Sequence, residues 1–77
     1  MTNTADPKPT GGVVLVNGEP FPVADRATAL DLIETLGLSG RPLAVEVNEA
    51  VVPRGSLAHC MLKGGDRVEI VTLVGGG

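Results

Sequence analysis

One stretch of this sequence reads as an amphipathic helix, and everything around it reads as short strands. Ala29, Leu32, Ile33 and Leu36 recur at i, i+3, i+4 and i+7 and form one apolar stripe, while Asp31, Glu34 and Thr35 point the other way. A lone helix of this kind needs a surface to cover, and in a 77-residue chain the flanking β-branched runs must supply it as a sheet. The ends of the helix are marked as well. Thr28, with Asp31 three residues on, has the pattern of a capping box, and the carboxylate suits the positive end of the helix dipole. Gly37 can enter the left-handed conformation, which lets Leu38 fold back toward Ile33 in a Schellman-type stop. Ser39-Gly40-Arg41-Pro42 then makes a turn.

The strands follow from alternation and punctuation. Val13-Val14-Leu15-Val16 stops at Asn17-Gly18, the pair best suited to the positive φ angles of a tight hairpin, and Phe21-Pro22-Val23-Ala24 is the return. Pro20 and Pro22 cannot donate backbone hydrogen bonds, so that strand is expected at an edge. Leu43, Val45 and Val47 share one face of residues 43–48, with Glu46 and Asn48 on the other. Asn48-Glu49 turns the chain into Ala50-Val51-Val52, which Pro53 ends. Residues 54–62 suit irregular or helical turns, with Ser56 as a cap and Leu57, Cys60 and Met61 spaced to dock on the core. Lys63-Gly64-Gly65-Asp66 is a turn. The last strand, Arg67 to Val74, places Val68 and Ile70 on one face and Glu69 and Val71 on the other. The order is β-β-α-β-β-β. The last strand closing the sheet beside the first gives an α+β β-grasp arrangement, a mixed sheet packed on one helix.

Three segments result: residues 1–12 as a disordered leader, 13–74 as the folded domain, and 75–77 as a flexible glycine tail. The leader, MTNTADPKPTGG, has two prolines, two closing glycines and almost nothing to bury. Composition narrows the function classes. Six basic against nine acidic side chains give a net charge of −3, and Phe21 is the lone aromatic residue, so neither a phosphate-neutralising surface nor a stacking platform for nucleic acid is available. A single cysteine, Cys60, excludes an internal disulfide framework and any multi-cysteine zinc site. No apolar run approaches membrane-spanning length and no signal peptide is evident, so a cytoplasmic protein without membrane partners is expected.

Ordinary active sites are hard to assemble from these residues. His59 and Cys60 are adjacent, so in a helical turn their side chains diverge by about 100°. Cys60 reads as a small buried hydrophobe and His59 as a surface residue. Asp25, Asp31, Glu34, Glu46, Glu49, Asp66 and Glu69 fall on caps, turns and outward strand faces, with no converging acid–base pair. Gly64-Gly65-Asp66 has no following helix and no phosphate-loop lysine in register. The expectation is a chain that is not itself an enzyme, with no catalytic residue, metal site or bound cofactor.

The terminal run Val71-Thr72-Leu73-Val74-Gly75-Gly76-Gly77 is different. A strand passes straight into three glycines, which extend about 10 Å at ~3.3–3.6 Å per residue and, lacking Cβ atoms, thread narrow channels. Such a tail offers one functional group, the α-carboxylate of Gly77, which is a poor electrophile until another protein activates it, for example as an acyl-adenylate. A frayed terminus would also be glycine-rich. Two features favour a working end. Val71 and Leu73 are apolar where a solvated strand is polar, and with Val74 they suggest a docking patch for a partner. The glycines also close the sequence.

The segments VNGEP (16–20), TALDLIETLGL (28–38), AVEVN (44–48), VVPR (51–54) and GGDRVEIVTLVGGG (64–77) together resemble the sulfur-carrier protein of bacterial thiamine biosynthesis, the ThiS type, over residues 13–77. The ordered set, ending in Gly-Gly, is the specific part of the match. The resemblance implies the ubiquitin-like β-grasp fold and a co-substrate role. An E1-like adenylyltransferase using Mg-ATP would adenylate Gly77, and a persulfide from a cysteine desulfurase or similar donor would displace AMP to leave a thiocarboxylate. Thiazole synthase would take that sulfur. The family's functional glycines fall on Gly76 and Gly77, with Gly75 extending the stretch. The leader and the low aromatic content depart from the family pattern. The small subunit of molybdopterin synthase shares this chemistry, though VVPR after AVEVN and the short loops favour the thiamine type. A carrier for another sulfur metabolite, and a β-grasp module that binds a partner and transfers nothing, are the remaining alternatives.

Overall fold

The computed structural model describes residues 11–73. Two strands, β1 (Gly12–Val16) and β2 (Glu19–Val23), precede the helix α1 (Ala29–Thr35), and β3 (Leu43–Val47) and β4 (Ala50–Val52) follow it. A 3₁₀ helix over Arg54–His59 leads into β5 (Arg67–Thr72). The strands form one sheet in the order β2-β1-β5-β3-β4. The last strand is therefore central. It runs parallel to β1, with Val16 opposite Val68, and antiparallel to β3, with Val45 opposite Ile70. The expected mixed sheet and element order are both observed.

The helix ends are as the sequence predicts. Thr28 Oγ1 accepts from the Asp31 N–H at 3.1 Å and Asp31 Oδ2 accepts from the Thr28 N–H at 2.9 Å, which is the reciprocal capping box. At the other end Leu38 N–H donates to Ile33 O at 3.0 Å and Gly37 N–H to Glu34 O at 3.0 Å, the paired bonds of a Schellman stop, with Gly37 at φ +75°. The core lies between α1 and one face of the sheet. Val14, Val23, Val45, Val68 and Ile70 come from the strands, Ala29, Leu32 and Ile33 from the helix, and Leu57 and Leu62 close one end. Each fully buried valine stabilises the fold by about 1.5–3 kcal/mol relative to leaving it in water.

Both hairpins turn on an asparagine in the left-handed region, Asn17 at φ +51° and Asn48 at φ +52°. In a hairpin with a two-residue loop the closing pair is hydrogen-bonded and pairs then alternate. Val16–Glu19 closes the first hairpin, so Pro20 and Pro22 fall at positions whose nitrogens face away from β1. The prolines therefore lie on the open edge of β2, where a missing donor costs nothing and a second chain finds no N–H to pair with.

Three expectations are corrected. The folded part starts before Val13: β1 begins at Gly12, and Gly11 N–H donates to Val23 O at 3.1 Å. These glycines seat the chain rather than loosen a leader. A Cβ on Gly12 would lie 2.8 Å from Gly64 Cα, and one on Gly11 would lie 2.4 Å from Ala24 O. The rest of the predicted leader, residues 1–10, lies outside the described residues. Second, Met61 is exposed and Leu62 is buried in its place. Met61 bridges Thr28, and Leu62 N–H donates to Ala27 O at 2.8 Å, which turns the side chain of Leu62 inward. Third, Ser56 caps nothing; the 3₁₀ helix has Pro53 at its N-cap and no side-chain cap bond.

Candidate functional site

The candidate site is the C-terminal end of β5 and the sheet face around it. Alternation along β5 sends Val68 and Ile70 into the core and leaves Glu69, Val71 and Leu73 on the face that α1 does not cover. Val71 is 56% exposed and Leu73 52%, so the apolar outward residues expected from the sequence are in solvent. Ala44 lies opposite Val71 across the β3–β5 ladder. The ladder ends where Leu73 N–H donates to Pro42 O at 2.9 Å, and the described chain ends at Leu73. Val74, the third residue of the expected docking patch, and the tail residues Gly75, Gly76 and Gly77 lie outside the described residues.

The uncovered face holds more than the sequence suggested. Val13 and Leu15 on β1 and Val51 on β4 are also exposed. A charged band separates these apolar groups: Arg67 lies opposite Leu15, and Glu69 lies directly opposite Glu46, which in turn faces Val51. Two like charges in register across a ladder disfavour the isolated sheet. The expected pairing of the last strand with the first is observed, and it sets Val13 and Leu15 beside β5 on this face.

Besides the ladders to β1 and β3, the two turn asparagines tie β5 in place. Asn17 N–H donates to Val68 O at 2.8 Å, Asn17 Oδ1 accepts from the Ile70 N–H at 2.7 Å, and Asn17 Nδ2 donates to Ile70 O at 3.1 Å. The side-chain amide thus continues the β1–β5 ladder after the backbone has turned away. On the other side Asn48 N–H donates to Arg67 O at 2.8 Å, and Asn48 Oδ1 accepts from the Arg67 N–H at 2.9 Å. Asn48 Nδ2 donates to Asp66 Oδ1 at 3.0 Å.

Asp66 is the one buried polar or charged residue among the described residues, where its sequence position suggested only a turn. Burial alone would raise its pKa. The hydrogen bonds from Asn48, from the Lys63 backbone N–H and from the Lys63 ammonium, together with the Lys63 charge, outweigh burial and hold the carboxyl below its ordinary range. Asp66 O also accepts from Leu15 N–H at 2.9 Å, so this residue ties β1, β5 and the second hairpin together.

The remaining candidates stay apart. His59 is exposed, and Cys60 is partly buried against the core, with its backbone O accepting from Ala29 N–H. Among the described residues no group of three or more His, Cys, Asp or Glu side chains could hold a metal ion. A hollow of about 360 Å³ lies between β2 and α1, at the far edge of the sheet from β3 and β4, and is lined by Phe21, Arg26, Asp31 and Leu32 among others. It does not adjoin the end of β5. Among the described residues no helix is long and apolar enough to cross a membrane.

A five-stranded mixed sheet with its first and last strands parallel at the centre and one helix across one face defines a ubiquitin-like β-grasp domain. The profile of the ThiS family matches residues 14–77, and the chain belongs to that family. The crystal structure of the thiamine biosynthesis protein ThiS from Geobacter metallireducens superposes with a TM-score of 0.71 at 31% identity, covering 84% of this chain and 99% of that one. The uncharacterized protein ycf40 of Porphyra purpurea is 31% identical over 64 residues, which is 83% of this chain and 90% of that protein. The thiazole synthase of Paramagnetospirillum magneticum is 38% identical over 64 residues, 83% of this chain. This chain spans only 20% of that protein's length.

Proposed function

We propose that this chain is the sulfur carrier of thiamine biosynthesis, with Gly77 as the residue that bears the sulfur. The observation that carries the reading is the end of β5: a strand locked into the centre of the sheet presents apolar Val71 and Leu73 to solvent and runs on into Val74-Gly75-Gly76-Gly77, in a chain of the ThiS family. An E1-like adenylyltransferase takes the glycine run into its active site. There the Gly77 carboxylate attacks the α-phosphorus of Mg-ATP and expels pyrophosphate. The terminal sulfur of a desulfurase-derived persulfide then attacks the acyl carbon and expels AMP, giving an acyl disulfide. A thiolate of the delivering enzyme attacks the outer sulfur of that disulfide and releases the thiocarboxylate on Gly77. Thiazole synthase consumes it. The likeness between this chain and a fifth of a thiazole synthase supports that enzyme as the acceptor.

In this reading the chain catalyses nothing and binds no cofactor of its own; it is a co-substrate with a fold. The exposed Val71 and Leu73, with Val74, form the surface that the activating enzyme grips while Gly75, Gly76 and Gly77 are threaded. The test is intact-mass measurement after incubation with the activating enzyme, Mg-ATP and a persulfide donor. The expected gain is the mass of one sulfur less one oxygen, located on Gly77 by fragmentation. An unchanged mass with a competent enzyme leaves a β-grasp module that transfers nothing. Rescue of a thiamine-requiring strain separates thiamine from molybdopterin or another sulfur acceptor.

A further inference from the structure

Where β5 leaves the sheet, two successive carbonyls of the β3 approach are both occupied. Pro42 O accepts from the Leu73 N–H at 2.9 Å, and Arg41 O accepts from Arg54 Nη2 at 3.0 Å. The Arg54 guanidinium therefore stands one peptide unit from the last ladder bond of β5, with Arg41 beside it. Both arginines are exposed. With Leu38 and Leu43 they rim a hollow of about 150 Å³ on the helix side of the sheet. Glu34 lines the same hollow, yet the ion pairs among the described residues are Lys63–Asp66 and Arg67–Glu49, so neither Arg41 nor Arg54 has a carboxylate partner there. In a chain with a net charge of −3 this is an uncompensated positive point, and it sits at the exit of the working strand.

We propose that Arg41 and Arg54 form a cationic collar that docks on a carboxylate-bearing rim of the activating enzyme, around the channel that receives the glycine run. The proposal rests on the carrier reading for the identity of that enzyme. The apolar residues Val71 and Leu73 flank the exit from the open face and the collar flanks it from the helix side, which is the arrangement of an apolar interface centre with a charged rim. Arginine suits the task because its planar fork matches a carboxylate and is only weakly hydrated. The bond to Arg41 O also restrains the Arg54 side chain, so less freedom is lost on docking. A nucleotide phosphate is the poorer fit. The four residues from Val74 to Gly77 reach about 13–14 Å at ~3.3–3.6 Å each, which separates the collar from the carboxylate that meets ATP.

The test compares the wild-type chain with Arg41→Ala/Arg54→Ala and Arg41→Lys/Arg54→Lys for binding to the activating enzyme, without nucleotide, at low and at physiological salt. The expected result is about tenfold weaker binding of the alanine pair at low salt, mostly through slower association, with the difference shrinking as salt screens the rim. The lysine pair keeps most of the salt dependence. Unchanged thermal melting of the variants shows that the fold is intact. Equal affinity and equal salt dependence for wild type and alanine pair would overturn the proposal, as would an enzyme that does not bind the wild type at all. A loss seen only when ATP is present assigns the arginines to phosphate and also overturns it. Sulfur gain by intact mass is followed in parallel. A wild type that binds but gains no sulfur removes the carrier reading, while the binding comparison still decides the collar.

Discussion

The two hairpins of this domain solve the same problem with the same residue and then part ways. Each turns on an asparagine at a positive φ near 50°, and each sends that side chain onto β5. Asn17 extends a parallel ladder and bonds only to backbone, at Ile70. Asn48 divides its amide between the Arg67 backbone and the buried Asp66 carboxylate. Their second turn positions differ too: Gly18 at φ +87° and Glu49 at φ +72°. Glycine takes that conformation freely, whereas an L side chain there costs roughly 1 kcal/mol. The first hairpin is thus relaxed and purely structural, and the second carries strain and a charge. The difference teaches that a turn residue can be selected for what its side chain reaches as much as for the bend it permits.

Predictions that separate the hairpins run from large to small. Asn48→Ala is expected to cost about 3 kcal/mol, because it removes two hydrogen bonds, one of them to an ionised group, and puts alanine at positive φ. Chemical denaturation measures it. Asn17→Ala should cost less, about 2 kcal/mol, since both lost side-chain bonds are to backbone. A larger effect at Asn17 than at Asn48 would overturn the ranking.

Acid separates them without ambiguity. The folded-state pKa of Asp66 is depressed, so its stabilisation is present above the unfolded carboxyl value of about 3.9 and is lost as pH falls through the lower folded value. Melting temperature against pH should therefore drop below about pH 4 in the wild type. Asn48→Ala removes one of the bonds that depress this pKa, so the folded value moves toward the unfolded one and the acid-linked loss should be smaller and complete at higher pH. Asn17→Ala should keep the wild-type profile.

Glu49→Gly is expected to stabilise the fold by up to about 1 kcal/mol by relieving the left-handed strain. The Arg67–Glu49 contact it removes is long, at 3.8 Å, and exposed, so it offsets little. The smallest effect on stability should come from Pro20→Thr/Pro22→Thr. It restores two outward N–H groups on β2, so the melt should stay close to wild type while light scattering shows faster self-association.

Local chemistry and the closing of the last strand beside the first were legible in the sequence; the distant side-chain partners were not. Asn17-Gly18, the Thr28–Asp31 box, the Gly37–Leu38 stop and the edge prolines each act within a few residues, and each is where the sequence put it. The asparagine amides were missed because Asn17 and Ile70 stand 53 residues apart and nothing in a turn motif signals a partner so remote. Asp66 was missed for a related reason. A lone aspartate before a strand looks solvated until Asn48, 18 residues back, and the Lys63 turn are brought around it. Met61 and Leu62 exchanged places because neither helical nor strand periodicity governs the stretch after a 3₁₀ helix. Of the candidate site, the outward apolar pair Val71 and Leu73 was legible from alternation alone. The Arg41–Arg54 bond was not, since it joins two turns across the end of the sheet.

The central position of β5 has a consequence for how the protein is made. A ribosome delivers the chain from the N-terminus at about 5–20 residues per second, so both hairpins and the helix emerge before the strand that must sit between them. A nascent chain halted before Arg67 holds two half-sheets with an empty slot between β1 and β3, and no continuous core. Folding thus waits for the segment that leads into the glycines. Proteases that clear unfolded chains would therefore remove copies truncated before β5 first.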